Sequence, residues 1–333
     1  MSDTRNTAPN GEEYQPIPTA SGVDVEGGVG AVVSTETLPG EDKSYSQGQL
    51  VRRRFFRHRA AIFSMIMLAL IIIVAFTSIG VGPLPGWWGK GYVEQYPKIG
   101  TGAPTWEHPF GQDTIGKDYF ALVMRGTQRS IIIAIGVGLI STVIGTVIGS
   151  LAGFYRGWIE SVLMRMTDLF IIIPLLVLAA VLGKIASSWG IWGLTLMLGL
   201  VTWTGLARLV RGEVLSLRER DFVVAARAVG TGTGRIIFKH VLPNAVGTII
   251  VSATLAIAAA VLLETSLSFL GYGVLPPDTS LGLLISQYQT AFTTRPWLFW
   301  WPGLLILVIA LSVNFIGDGL RDAFDPRQNR TKA

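Results

Sequence analysis

Arg52-Arg53-Arg54-Phe55-Phe56-Arg57-His58-Arg59 is followed at once by Ala60-Ala61-Ile62-Phe63-Ser64-Met65-Ile66-Met67-Leu68-Ala69-Leu70-Ile71-Ile72-Ile73-Val74-Ala75-Phe76-Thr77-Ser78-Ile79. The second stretch contains no charged residue, and about 20 apolar residues in a helix cross the hydrocarbon core of a bilayer. A basic flank running directly into a spanning length predicts a membrane helix anchored on its arginine side. Five further apolar runs follow, at about 130–152, 164–183, 187–207, 245–269 and 297–316. The third is the weakest, because Asp168 lies near its start and Pro174 lies inside it. Six spans place both termini on one side.

The composition agrees. Of 333 residues, 50% are hydrophobic and only 15% are charged, and the mean hydropathy is +0.49. Soluble chains carry nearer a quarter charged residues, so a soluble enzyme, a disordered chain and a collagenous chain are all excluded. Without cysteine there is no disulfide framework, zinc–thiolate site or thiol nucleophile.

Residues 1–49 read differently. Rich in Gly, Pro, Ser and Thr, they carry eight acids against Arg5 and Lys43. Too little apolar surface is available to offset the entropy of ordering, so a disordered tail is expected. Its charge of −6 within a total of +5 leaves +11 on the remainder. With the N-terminus inside, eighteen Arg and Lys fall on inner segments and six on outer ones (the far tail and Arg129, at a boundary, left aside). That asymmetry is the positive-inside pattern. Orientation accounts for the basic excess, and nucleic acid drops out as a partner.

Two outer segments are long, about 80–129 and 270–296. The first, with Trp87, Trp88 and Trp106, is expected to fold as a cap at the interface. The longest inner connection, about 208–244, has no Gly or Pro from Glu213 to Val229 and is expected to be helical there. Gly230, Gly232 and Gly234 interrupt it. A short helix from Arg235 to Leu242, ended by Pro243, is expected next. Such a helix–turn–helix suits a soluble partner.

Several residues raise chemical possibilities. Gly111-Gln112-Asp113-Thr114-Ile115-Gly116-Lys117-Asp118 has the glycine and lysine spacing of a phosphate-binding loop. Asp118, however, stands where Ser or Thr would hold magnesium, and two aspartates would repel phosphate. It reads as a turn in the outer cap. His58, His108 and His240 form no ligand motif and are expected at surfaces or interfaces. Gly145, Gly149 and Gly153 share one helix face and predict close helix packing. Asp168 is expected to pair with Arg165, three residues earlier. Glu264, with Ser268 four residues on, makes a polar stripe that would either line a water-filled path or hydrogen-bond a neighbouring helix.

The inner connection also carries a resemblance. Asp221-Phe222-Val223-Val224-Ala225-Ala226-Arg227-Ala228-Val229-Gly230 and Ile236-Ile237-Phe238-Lys239-His240-Val241-Leu242-Pro243-Asn244 resemble the coupling loop of bacterial ABC-importer membrane subunits. Ala225, Ala226, Gly230, Leu242 and Pro243 match that pattern. Val224 replaces its usual Glu and His240 a frequent Ile, so position 224 offers no polar contact. Residues 108–118, 267–277 and 314–327 are similar to dipeptide/oligopeptide permeases, specifically the second of the two permease subunits. The resemblance covers about Val51 to Arg327.

It implies an all-α, six-span membrane fold with a cytoplasmic coupling helix pair, in the bacterial inner membrane. It further implies a second permease subunit, two ATPase domains or one fused ATPase, and an extracytoplasmic peptide-binding protein. No cofactor is expected in this chain, and ATP and magnesium would sit on the ATPase partners. In that setting the helix pair would act as a lever, with Gly230 permitting a reversal that a side chain would obstruct. Nickel and glutathione importers look similar, so the substrate stays open. An ion-driven carrier would rely on midplane carboxylates and often repeated halves, and a membrane enzyme on clustered catalytic groups. Neither pattern is evident.

Overall fold

The computed structural model describes residues 47–325; the tail expected over residues 1–49 therefore lies almost wholly outside the described residues, and residues 47–49 open a helix. The architecture is helical, with one two-stranded hairpin. A short helix α1 (Gln47–Phe55) precedes the apolar α2 (Arg59–Ser78). His58 starts α2 by accepting the Ala61 amide at its Nδ1, 3.1 Å away, which satisfies one of the orphan donors of the first turn. The hairpin β1 (Gly80–Val81) and β2 (Leu84–Pro85) begins an ordered segment, the cap, that ends at α3 (Tyr119–Tyr155).

Helix α3 starts eleven residues before the expected run at 130. At 37 residues it is about 55 Å long, well beyond a hydrocarbon core of about 30 Å. The surplus is buried in protein: Tyr119, Ala121 and Val123 are fully enclosed, so this first stretch of the helix packs against protein.

The third expected span is two helices, α4 (Gly157–Ile172) and α5 (Leu175–Ala186), bent by 87°. Pro174 is the cause. It lacks an N–H and drives Ile173 into an extended conformation (φ −77°, ψ 125°), the one proline favours in the residue before it. The fourth is α6 (Gly190–Thr202) and α7 (Thr204–Leu217), bent by 44° at Trp203. Then come α8 (Asp221–Ala228), α9 (Thr233–Ile236), a π-turn (Ile237–Val241), α10 (Leu242–Phe269), α11 (Leu281–Tyr288) and α12 (Trp297–Phe324). Among the described residues, four continuous helical stretches are long and apolar enough to cross a membrane, and the two bent pairs bring the number to six if each is one span.

Helix α3 is the axis, packed on α2, α6, α7 and α10. The stripe Gly145, Gly149, Gly153 explains how closely. A Cβ at these positions would lie 2.9 Å from the Trp203 carbonyl oxygen, 2.5 Å from that of Ala207 and 2.8 Å from that of Arg211. The backbone of α7 occupies the space where side chains would stand, as the sequence predicts for small residues on one helix face. One hydrophobic core lies toward the cap, around Tyr119, Ile133, Leu198, Leu281 and Ile309. A second lies at the arginine-rich end, around Phe154, Val210, Val214, Val223, Ile236 and Val241.

Candidate functional site

The arginine-rich end carries an elbow. The helix expected from Glu213 to Val229 is interrupted at residues 218–220, where Arg220 is extended (φ −75°, ψ 147°). A straight continuation would carry Val223 and Ala226 into water. The turn folds α8 back, so both join Val214 and Leu217 in the second core. Each Val or Ile buried in this way contributes about 1.5–3 kcal/mol. Arg218 secures the reversal: its Nη1 donates to the Phe154 carbonyl at the end of α3, at 2.5 Å. The guanidinium of Arg227 lies over the Phe154 ring at 5.6 Å.

Helix α8 ends in a Schellman motif. The Thr231 amide donates to the Ala226 carbonyl (3.1 Å) and the Gly230 amide to that of Arg227 (3.0 Å), with Gly230 left-handed at φ +77°. The expected reason for glycine at 230 needs correcting. A Cβ there would meet nothing within 4 Å, so space does not demand glycine; the backbone conformation does.

Pro243 is corrected too. It ends no helix, because the chain is helical from Thr233 to Phe269. Proline within a helix removes one amide and crowds the carbonyl four residues earlier. The π-turn before it gives that room: the Leu242 amide reaches back to the Ile237 carbonyl, one residue further than in an α-helix. Asn244 Nδ2 donates to the His240 carbonyl at 2.6 Å.

Of the five coupling residues singled out in the sequence, Ala226 is in the core, Leu242 packs against it, and Ala225, Gly230 and Pro243 are exposed. Around them stand exposed apolar side chains: Phe222 (40% exposed), Val224 (52%), Val229 (81%) and Phe238 (70%). The elbow thus has a packed apolar base and an apolar outer surface, on the arginine-rich side of the molecule.

The second polar locus lies toward the cap. Glu264 is fully buried and Ser268 is 1% exposed. Glu264 accepts hydrogen bonds from Ser268 Oγ (2.7 Å) on its own helix and from Ser130 Oγ (3.0 Å) on α3. Ser280, the N-cap of α11, places its Oγ 3.1 Å from that of Ser268. Of the two readings open for this stripe, the contacts are those of helix-to-helix bonding; neither side chain reaches an open surface in this chain. Ser130 and Ser280 were not legible as partners, since they lie 134 and 16 positions away with no local pattern linking them.

Two arginines missed in the sequence brace the same loop. Arg125 Nε and Arg129 Nε lie 2.8 and 2.6 Å from Oδ1 and Oδ2 of Asp278. Their spacing of four on α3 puts both on one face, which was a readable signal; the acid that they share was not.

Residues 80–118, expected as an outer cap, are ordered, and the phosphate-loop look-alike is part of their frame. Asp118 caps α3 at the Ala121 amide (2.9 Å) and accepts from Trp88 Nε1 (2.8 Å). Asp113 Oδ1 accepts the amides of Ile115 and Lys117. With those lone pairs committed, the segment offers no phosphate cradle. Tyr288 donates to Asp113 Oδ2 at 3.1 Å; burial and the Asp113 charge push its phenol above the ordinary range.

His108 and Asp168 are placed differently from expectation, whereas His58 and His240 are partly exposed, as expected. His108 is buried, 3% exposed, with Nδ1 at 2.6 Å from Asp118 Oδ1; it is a strut of the cap. His58 lies 3.5 Å from Asp322. Asp168 pairs with Arg208 Nη2 at 2.5 Å rather than with Arg165, because the bend at Pro174 brings α4 beside α7. Among the described residues no three His, Asp or Glu side chains gather as metal ligands.

Comparison with known proteins agrees with this arrangement. The family model described as the binding-protein-dependent transport system inner membrane component matches residues 145–330. A second, the N-terminal TM domain of oligopeptide transport permease C, matches residues 46–85. The oligopeptide transport system permease protein OppC of Mycobacterium tuberculosis is 39% identical over 282 residues, covering 84% of this chain and 95% of that protein. The protein of the same name from Haemophilus influenzae is 36% identical over 281 residues, covering 84% and 88%. Among solved structures, the inward-facing MetNI methionine ABC transporter shares the fold, with a TM-score of 0.52 at 20% identity over 61% of this chain and 96% of that one. The chain therefore belongs to the family of inner membrane components of binding-protein-dependent transport systems, as a permease of the ABC-importer type and not an ion-driven carrier.

Proposed function

We propose that this chain is one of two different permease subunits of an ATP-driven importer of oligopeptides in the bacterial cytoplasmic membrane. Its relatives OppC carry that substrate class in their names. The arginine-rich end faces the cytoplasm and the cap faces outward, toward a soluble peptide-binding protein. ATP and magnesium sit on ATPase partners, and this chain supplies half of the path and the mechanical link.

The observation that carries the reading is the elbow. A water-facing helix pair with a buried apolar base and an exposed apolar surface of Phe222, Val224, Val229 and Phe238 fits the groove of a soluble engine. Ala225, Gly230 and Pro243 lie on its exposed side, while Ala226 and Leu242 fasten it to α7 and α10. Because the base shares a core with the end of α3, displacement of the elbow bears directly on the central helix, and ATPase closure would bias two packings of the spans. Glu264 and Ser268, candidates for the path, hold the outer ends of α3, α10 and α11 together beside it.

Reconstitution tests this. The complex in sealed vesicles is expected to accumulate labelled peptide only with ATP and the soluble receptor both present. Uptake driven by a proton or sodium gradient without ATP removes the reading.

A further inference from the structure

We propose that the junction of α1 and α2 is a binding site for the headgroups of anionic phospholipids in the adjacent leaflet. Five arginines fall within residues 52–59, and the structure divides them. Arg54 turns toward the end of α12, its Nη1 donating to the Asp325 carbonyl at 2.9 Å. His58, from the same turn, stands beside Asp322. Leu50, Val51 and Phe55 are half-buried, and α1 packs on α12. That contact fixes which way the rest of the segment faces. Arg52, Arg57 and Arg59 are exposed, and Phe56, in their midst, is 54% exposed.

The occupant follows from chemistry and position. Arg59 is the first residue of a spanning helix, so these guanidiniums sit at headgroup depth when α2 is in the bilayer. A guanidinium binds phosphate through a planar fork of donors. A polar, basic face combined with an apolar ring suits the boundary between headgroups and acyl chains, where Phe56 is shielded from water. Juxtamembrane arginine clusters draw anionic lipid by the same field. An acidic protein segment would satisfy the charges and leave the ring uncovered. The site is set by α1 and α12 and is independent of which solute the permease carries.

The test is native mass spectrometry of the purified full-chain complex equilibrated with equal parts of phosphatidylglycerol and phosphatidylcholine. The wild-type complex is expected to retain phosphatidylglycerol preferentially. The triple variant Arg52→Gln/Arg57→Gln/Arg59→Gln should lose at least about fivefold of that preference, the factor one interfacial arginine contributes. The corresponding Lys triple should keep most of it. Equal retention by wild type and the Gln triple overturns the proposal. Should the Gln triple fail to insert, the wild-type complex at 1 M salt decides, because screening then reaches within about 3 Å; preference unchanged by salt overturns it. A preference that appears only after deletion of residues 1–42 also overturns it, since the acidic tail would then be the occupant.

Discussion

Gly230 shows how one backbone angle can matter more than any contact. At φ +77° a β-branched residue is strained by about 1–3 kcal/mol, although nothing nearby would touch its side chain. Gly230→Val should therefore untwist the end of α8 and misplace Val229 and the elbow surface. Peptide-stimulated ATPase activity of the complex is expected to fall at least about tenfold, while the amount of inserted protein stays near wild type. Normal stimulated activity would show that the elbow tolerates a different reversal. Glu264 is the opposite case, where contacts are everything. Glu264→Ala leaves the hydroxyls of Ser130 and Ser268 without their acceptor in a buried site, a loss of about 1–3 kcal/mol each. Glu264→Gln keeps an oxygen acceptor and should cost less. Thermal unfolding of the purified protein followed by tryptophan fluorescence should rank wild type above Gln and Gln above Ala; Ala equal to wild type would deny the hub any structural weight.

Among the elements, the α3–α7 pair depends most visibly on side-chain size. Gly149→Leu would drive a side chain into the Ala207 carbonyl, already 2.5 Å from a built Cβ. The α7 backbone must then shift, and overpacking of this kind costs about 1–3 kcal/mol or more. Loss of a monodisperse peak in size-exclusion chromatography is expected for Gly149→Leu but not for Leu at Gly212, where a Cβ meets nothing within 4 Å. The bends have separate causes. Pro174 breaks α4 from α5 outright, whereas Pro243 is absorbed by the π-turn that ends one position before Leu242. One residue type, in two settings, ends a helix and is carried through one. The difference lies in whether the residue before proline stays helical: Ile173 is extended, Leu242 helical (φ −59°, ψ −41°).

For the molecule as a whole, the arginine asymmetry, the elbow and the cap make a directional statement. The absence of native cysteine makes it simple to check. A single cysteine at Val229 should react with a membrane-impermeant maleimide only in inside-out vesicles, and one at Trp106, fully exposed on the cap, only in right-side-out ones. The reverse pattern would invert the proposed orientation and remove the elbow from any cytoplasmic ATPase.

Much of this protein was decided by its residues alone. Length and apolarity of the runs set membrane helices, because backbone polar groups have no partner in hydrocarbon unless the segment bonds internally. The placement of arginines set an expected orientation, and Gly145, Gly149 and Gly153 set a close packing face; these are local properties, readable by counting along the chain. Tertiary structure alone decided the fold-back of α8, the partner of Asp168, the burial of His108 and the union of Glu264 with Ser130 and Ser280. Each of those depends on which segment arrives beside a side chain, and contacts at separations as unlike as 10 (His108–Asp118), 40 (Asp168–Arg208) and 134 (Glu264–Ser130) leave no period in the sequence.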